Sequence, residues 1–272
     1  MLGNNKSQPK TIRALERGLD IMQILQQKGS ATLNEIYQIS GLPRPTILRI
    51  LRTLKGAGWV RRGLDDGLYR NSFKIEGMVD GLDDTDRLAE ISAPYLDGLC
   101  QKASWPSDLA ILNSGGLYME LKETSRSLTP FFLNRDSIGH KINLPLSAVG
   151  RAYLAFCATN ECTTILSRLR KSRNIANKLI HDEKKFSADL EEIRRVGYAT
   201  REPSFGGGQK PLRSEFDDGL EAVAVPIRLN EKILGCISLV WVRNAISIQS
   251  IVSEYLLDLQ NTAMDISNQF KK

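Results

Sequence analysis

Thr32-Leu-Asn-Glu-Ile-Tyr-Gln-Ile-Ser-Gly-Leu-Pro-Arg-Pro-Thr-Ile-Leu-Arg-Ile-Leu51 spells two short helices separated by a tight turn. Thr32, with Glu35 three residues on, forms a capping box that opens a helix carrying Leu33, Ile36 and Ile39 on one face. Gly41 ends that helix and Leu42 plugs the corner. The prolines at 43 and 45 suit the first turn of a further helix, where an N–H has no intrahelical partner to lose. In that helix Ile47, Ile50, Leu51 and Leu54 recur at three, four and seven residues and face a core. Arg44, Thr46, Leu48, Arg49, Arg52 and Lys55 are left on the opposite side.

Upstream, Ile12 to Gln27 places Ile12, Leu15, Leu19, Met22 and Leu25 at helical spacing, and Lys28-Gly29-Ser30 closes that scaffold helix. Downstream, Trp59-Val-Arg-Arg62 and Leu68-Tyr-Arg70 flank the turn Gly63-Leu-Asp-Asp-Gly67, two strand-prone runs that make a hairpin wing. Together these elements spell a winged helix-turn-helix, whose second helix lies in the major groove of double-stranded DNA. The DNA-contacting set is Arg44, Pro45, Thr46, Leu48, Arg49, Arg52, Arg61 and Arg62. Arginine has the fork to bond guanine O6 and N7, threonine reaches a phosphate or a thymine methyl, and the exposed Leu48 is either incidental or a thymine-methyl contact. Arg52 and Lys55 suit phosphates or solvent, and Arg61 and Arg62 grip phosphate or probe the minor groove. One such head reads few base pairs, so a homodimer on a pseudo-palindromic operator is expected through the N-terminal domains, with Ile12 to Gln27 and the linker helix as the contact, and a homotetramer through the second domains.

The charge distribution agrees. Residues 1–74 hold 13 Lys+Arg against 5 Asp+Glu, whereas the remainder holds 24 against 26, so the net charge of +6 belongs to the first domain. Basic residues concentrated in one domain release counterions condensed on DNA phosphates. The four cysteines, Cys100, Cys157, Cys162 and Cys236, form no CxxC pair and lie far apart in sequence; with only two histidines this argues for reduced, packed thiols and against a metal site. No cofactor and no catalytic constellation is expected. Gly206-Gly-Gly-Gln-Lys210 lacks P-loop spacing and reads as a loop. The polar N-terminus and the lack of a long apolar run place the chain in the cytoplasm, with no membrane role.

Three segments follow from pattern: a winged-helix domain at 1–73, a linker helix at 74–85, and an effector-binding and oligomerisation domain at 86–272. In the last, a helix to Ala103 precedes strands at 108–113, 117–124 and 129–133. Helices at about 147–157, 160–169 and 183–196 then lead to strands at 197–202, 220–228 and 233–242 and a long closing helix. Helices around a mostly antiparallel sheet make an α+β domain. Ser147-Ala-Val-Gly150 offers backbone N–H groups at a helix start, a seat for a carboxylate. Arg126 and Arg135 offer charge to neutralise an acid, Asp108 or Tyr118 an acceptor for a ring hydroxyl, and Phe131, Phe132 and the strand around Leu239 cover for a ring.

The chain resembles the IclR family of bacterial transcription regulators. The resemblance is carried by Arg13-Ala-Leu-Glu-Arg-Gly-Leu-Asp-Ile21, Gly41-Leu-Pro-Arg-Pro-Thr-Ile47, Gly58-Trp-Val-Arg61, Leu144-Pro-Leu-Ser-Ala-Val-Gly-Arg-Ala-Tyr-Leu-Ala155, Val223-Ala-Val-Pro-Ile227 and Gly235-Cys-Ile-Ser-Leu239. It implies a GAF-like effector domain that binds a small organic acid at Ala148 and Val149, with Ser238 on the strand opposite. Ser104-Trp-Pro-Ser-Asp-Leu109 and Leu154-Ala-Phe-Cys157 look most like the activators of aromatic-acid, hydroxyphenylpropionate-type catabolism. The expectation is therefore a non-enzymatic, ligand-responsive regulator with a small carboxylate effector and, for an activator, RNA polymerase as a further partner. A repressor of the same build is the alternative, and an enzyme or a winged-helix protein-interaction module is the competing class. The connection from Pro203 to Asp217 is longer than the family's, which leaves its part in a pocket open.

Overall fold

The structure is a computed structural model that describes residues 11–75, 83–126, 138–172, 174–207 and 212–272. The chain forms two compact units that divide between Leu82 and Asp83. Most of the expected linker helix at 74–85 and the expected strand at 129–133 lie outside the described residues.

The first unit comprises α1 (Arg13–Lys28), α2 (Leu33–Ser40), α3 (Arg44–Gly56), β1 (Val60–Arg62) and β2 (Tyr69–Asn71). The capping box forms as the sequence predicts: Glu35 N donates to Thr32 Oγ1 at 3.1 Å and Thr32 N donates to Glu35 Oε2 at 2.8 Å. Gly41 then closes α2 in the left-handed region at φ 65°, a conformation that costs glycine little. Ile21, Leu25, Ile36, Ile47, Leu51 and Val60 fill the core. β1 and β2 pair antiparallel with Arg61 opposite Arg70. Ala31 and Tyr69 exchange two backbone hydrogen bonds, which ties the wing to the corner between α1 and α2.

Two expectations about facing need correction. Ile12, Leu15 and Leu19 are 69%, 59% and 57% exposed, and the buried face of α1 is instead Gly18, Ile21, Ile24 and Leu25. Apolar residues occupy two sides of this helix, and the side that carries Gly18 meets Ile50 of α3. Ile39 is likewise exposed on α2.

The second unit runs α4 (Asp84–Ala103), β3 (Ser107–Leu112), β4 (Tyr118–Thr124), β5 (Lys141–Asn143), α5 (Ala148–Phe156), α6 (Thr159–Lys171), a 3-10 turn (Ile175–His181) and α7 (Glu183–Val196). It continues with β6 (Ala199–Thr200), β7 (Leu220–Leu229), β8 (Lys232–Val242) and α8 (Ile248–Phe270). β5 and the 3-10 turn have no strong periodic signal and the sequence does not predict them. The strands form one antiparallel sheet in the order β5-β4-β3-β8-β7-β6. Side chains alternate across it. Leu109, Ile111, Val223, Val225, Ile227, Ile237, Leu239 and Trp241 pack in one core with residues of α4 and α8. Ala110, Ala222, Ala224, Cys236 and Val240 share the other core with α5, α6 and α7. Leu239 therefore faces away from the side on which α5 begins and covers no ligand there, contrary to expectation.

The two faces differ in size. The α5 side is floored by alanines and Ser238 where the opposite side carries branched and aromatic residues, so the sheet stands off from the start of α5 and a hollow remains. Gly150 sets that start: a Cβ there would lie 2.1 Å from Leu144 O, so only glycine lets the helix press against the preceding loop. At the far end of α5 Cys157 Sγ donates to Leu154 O at 3.7 Å, and all four cysteines are buried free thiols.

The capping box makes a double prediction. Thr32→Ala should destabilise the first unit by about 1 kcal/mol in thermal or denaturant unfolding at neutral pH. Glu35 is held down at about 2 by its hydrogen bonds to Lys28 and Thr32, against an ordinary value of 4.5. A depressed carboxylate stabilises above its unfolded pKa and loses that contribution as pH falls through its folded pKa. The stability difference between wild type and Glu35→Gln should thus be present above about pH 4.5 and vanish on acidification toward 2; a pH-independent difference would refute it.

Candidate DNA interface and effector cavity

On α3 the outward set is Arg44, Pro45, Leu48, Arg49, Arg52 and Lys55, all exposed, with Thr46 half-buried. Its cations are not equivalent. Arg44 donates from Nη2 to Asn34 Oδ1 at 2.7 Å and lies over the Tyr37 ring at 5.1 Å, so α2 presets its direction. Arg62 donates from Nε to Gly67 O at 2.8 Å and covers the Tyr69 ring, while Arg70 is paired with Asp66 inside the wing. Arg49, Arg52 and Arg61 make no side-chain hydrogen bond or ion pair among the described residues. Their guanidiniums can meet a nucleic acid without breaking an internal contact. Thr46 and Arg49 also border a groove between α1 and α3, lined by Leu15, Leu19, Met22 and Ile50.

In the second unit a cavity lies between the start of α5 and the sheet. Asp108, Arg126, Ala148, Val149 and Ser238, predicted from separate parts of the sequence, all line it. Asp108 and Ser238 are direct partners across β3 and β8, and so project on one face. Ser147 caps α5: its Oγ accepts from Gly150 N at 3.1 Å and donates to Asn143 O at 2.6 Å. The N–H groups of Ala148 and Val149 belong to the helix's first turn, which has no intrahelical acceptor for them.

The acidic and basic groups here are already matched. Arg126 donates from Nη2 to Asp108 Oδ2 at 2.6 Å and from Nε to Oδ1 at 3.2 Å, with side-chain exposures of 7% and 6%. Thr124 Oγ1 adds a third bond to Asp108 at 2.6 Å. Among the lining residues that sequence reasoning missed are His140, Arg201, Phe205 and Asp218. Arg201 donates from Nη1 to both oxygens of Asp218 at 2.8 and 2.9 Å. No periodic signal marks these residues, because they lie in the connections beside β5 and between β6 and β7. Tyr118 is not among the lining residues; it lies under Lys141 at 4.9 Å. Phe131, Phe132 and Arg135 lie outside the described residues. The cavity measures about 50 Å³, room for a few water molecules rather than the roughly 300–1,000 Å³ of a drug-sized site. An organic acid enters only if side chains swing aside.

A winged helix-turn-helix bearing uncommitted arginines, and a helix-flanked sheet enclosing a polar cavity, define a DNA-binding transcription regulator with an effector domain. Residues 14–63 match the IclR helix-turn-helix domain and residues 82–268 match the bacterial transcriptional regulator IclR C-terminal domain. The chain belongs to the IclR family. It is 26% identical over 217 residues to the transcriptional regulator BhcR of Paracoccus denitrificans, covering 79% of this chain and 72% of that one. It is 23% identical over 226 residues to the transcriptional repressor AllR of Escherichia coli, covering 81% and 80%. Its fold is similar to that of a Microbacterium hydrocarbonoxydans IclR homolog complexed with 4-hydroxybenzoate, with a TM-score of 0.53, 18% identity and coverage of 95% and 99%. Among the described residues no helix is long and apolar enough to cross a membrane.

Removing one member of a buried ion pair leaves the other charge desolvated. Asp108→Ala should therefore cost the second unit about 3 kcal/mol or more in denaturant unfolding, and the first unit nothing; an unchanged midpoint would show that the pair does not hold the cavity wall.

Proposed function

We propose that this protein is a cytoplasmic, ligand-responsive activator of a catabolic operon, and that its effector is a small aromatic or other organic carboxylate bound in the cavity at the start of α5. The observation that carries this reading is the convergence of Ala148, Val149, Arg126, Asp108 and Ser238 on one cavity. A buried carboxylate needs compensation, which oriented N–H groups and a guanidinium supply. The 4-hydroxybenzoate complex of the Microbacterium homolog supports the ligand class. The resemblance of Ser104–Leu109 and Leu154–Cys157 to activators of aromatic-acid catabolism supports activation through RNA polymerase. AllR is a repressor, so repression is the second reading. To regulate, the acid must bind one DNA-binding state better than another, with a coupling of about 1–3 kcal/mol.

Binding of the protein to its own promoter region, with and without hydroxybenzoates, phenylpropionates and short keto acids, tests the reading. Tight, steeply salt-dependent binding that one of these acids shifts is the expected result, and a reporter assay separates activation from repression. Sequence-indifferent binding that no acid affects would overturn it. In the same assay Arg49→Ala should cost about 1–3 kcal/mol and relax one base preference per half-site. Arg61→Ala should instead weaken all sequences alike and reduce the salt slope by about one ion. Identical sequence profiles for wild type and Arg49→Ala would remove Arg49 from the base-reading set.

Pairing of two heads belongs to the same reading. The exposed Ile12, Leu15 and Leu19 on α1 form an apolar strip of the kind that a second copy covers. Sedimentation should show a dimer or tetramer, and Leu15→Glu with Leu19→Glu should lower both the assembly state and operator affinity. A monomeric wild type, with and without DNA, would exclude this surface.

A further inference from the structure

The second arginine of the cavity differs from the first in how its donors are used. Arg126 engages Asp108 through two nitrogens, Nε and Nη2. Every hydrogen bond that Arg201 makes uses a single nitrogen: Nη1 donates to both Asp218 oxygens and, at 3.1 Å, to Leu220 O. Its Nε and Nη2 form no hydrogen bond among the described residues, although the side chain is only 8% exposed and lines the cavity. Phe205 lies at 5.1 Å against the guanidinium and restricts its movement. A guanidinium with two unspent nitrogens, on a side chain that lines a cavity, can take a further acceptor there.

Its neighbours place that edge beside the start of α5. Glu202 N donates to Leu146 O at 2.9 Å and Arg151 Nη1 donates to Thr200 O at 3.0 Å, so the segment on either side of Arg201 is pinned to the first turn of the helix. The register puts Asp108 elsewhere on the floor. Asp108, Ser238, Ala224 and Ala199 form one row across β3, β8, β7 and β6, and Arg201 follows Ala199 by two residues at the far side. Three strand spacings separate Asp108 from that edge, about 14 Å between backbones.

We infer that Arg201 is an anion anchor of the effector pocket: the effector's carboxylate sits between the Nε/Nη2 edge of Arg201 and the N–H groups of Ala148 and Val149, and a hydroxyl at its other end meets the Asp108–Arg126–Ser238 cluster. This rests on the reading of the cavity as the effector site, and names the ligand class more narrowly. Among the described lining residues two arginines face two aspartates. A plain acid seated at Arg201 would leave the polar Asp108–Arg126–Ser238 cluster facing its apolar end, whereas an acid that also carries a hydroxyl gives that cluster a partner. The site therefore selects a hydroxy acid over the corresponding acid without the hydroxyl.

Calorimetry on the full-length protein tests this with 4-hydroxybenzoate, 3-(3-hydroxyphenyl)propionate, their parents lacking the hydroxyl, and 4-hydroxybenzamide as an uncharged probe. Wild type should bind a hydroxy acid at least tenfold better than its parent. Arg201→Gln should weaken the hydroxy acid more than tenfold and change the amide by less than threefold. Asp218→Asn also breaks the ion pair but keeps the cation, and should hold or raise hydroxy-acid affinity. Equal losses in Arg201→Gln and Asp218→Asn would reduce Arg201 to a structural role, as would full affinity in a folded Arg201→Gln. A wild type that binds every acid here without regard to the hydroxyl would overturn the selectivity alone. If wild type binds none of the probes, the cavity assignment itself falls and this inference with it.

Discussion

A guanidinium taken out of water must be matched by a carboxylate, and this requirement shapes the effector domain. Arg126 and Arg201 are both nearly buried, and each is held by an aspartate from a different strand or loop, Asp108 and Asp218. The pairs lock together segments that are distant in sequence: β3 with the end of β4, and the end of β6 with the start of β7. Replacing such pairs by apolar residues would often be neutral for stability, so their presence favours a polar interior that a ligand can address. Gly207 shows how closely the chain is fitted to them. Its positive φ of 81° and the 2.0 Å that would separate a Cβ from Asp218 Oδ2 leave room for no other residue.

The hollow that these pairs border arises from an asymmetry of the sheet. One face presents isoleucines, valines, leucines and Trp241 to α4 and α8, where close packing leaves little space. The other presents alanines and Ser238 beneath the start of α5. Ser147 and Gly150 then fix the helix at that point, one by capping it and the other by allowing backbone contact with Leu144. Small residues below and unpaired N–H groups above make a polar cleft without any unusual backbone. At about 50 Å³ it is small, which suits a sensor whose occupied and empty states must differ.

In the DNA-binding unit the same economy of contacts separates the arginines by role. Arg44, Arg62 and Arg70 are oriented by Asn34, the wing turn and Asp66, and cannot meet a base without giving something up. Arg49, Arg52 and Arg61 carry no such obligation. The first set is preset in direction by the fold, and the second is free of internal contacts among the described residues.

The sequence alone determined the winged helix nearly residue by residue, since capping box, glycine stop, helix-starting prolines and hairpin glycines are local signals whose physics acts within a few residues. It also determined the second unit's strands and helices apart from β5 and the 3-10 turn, and picked out Asp108, Arg126, Ala148, Val149 and Ser238, from side-chain chemistry, the helix start at Ser147 and the family resemblance. What only the tertiary structure decided was facing and pairing. The stripe of α1 that enters the core and the side to which Leu239 points both depend on packing between elements. So does the gathering of Arg201, Phe205 and Asp218 around the pocket, because those residues sit in connections without periodicity and acquire partners only when β6 and β7 are laid beside the sheet.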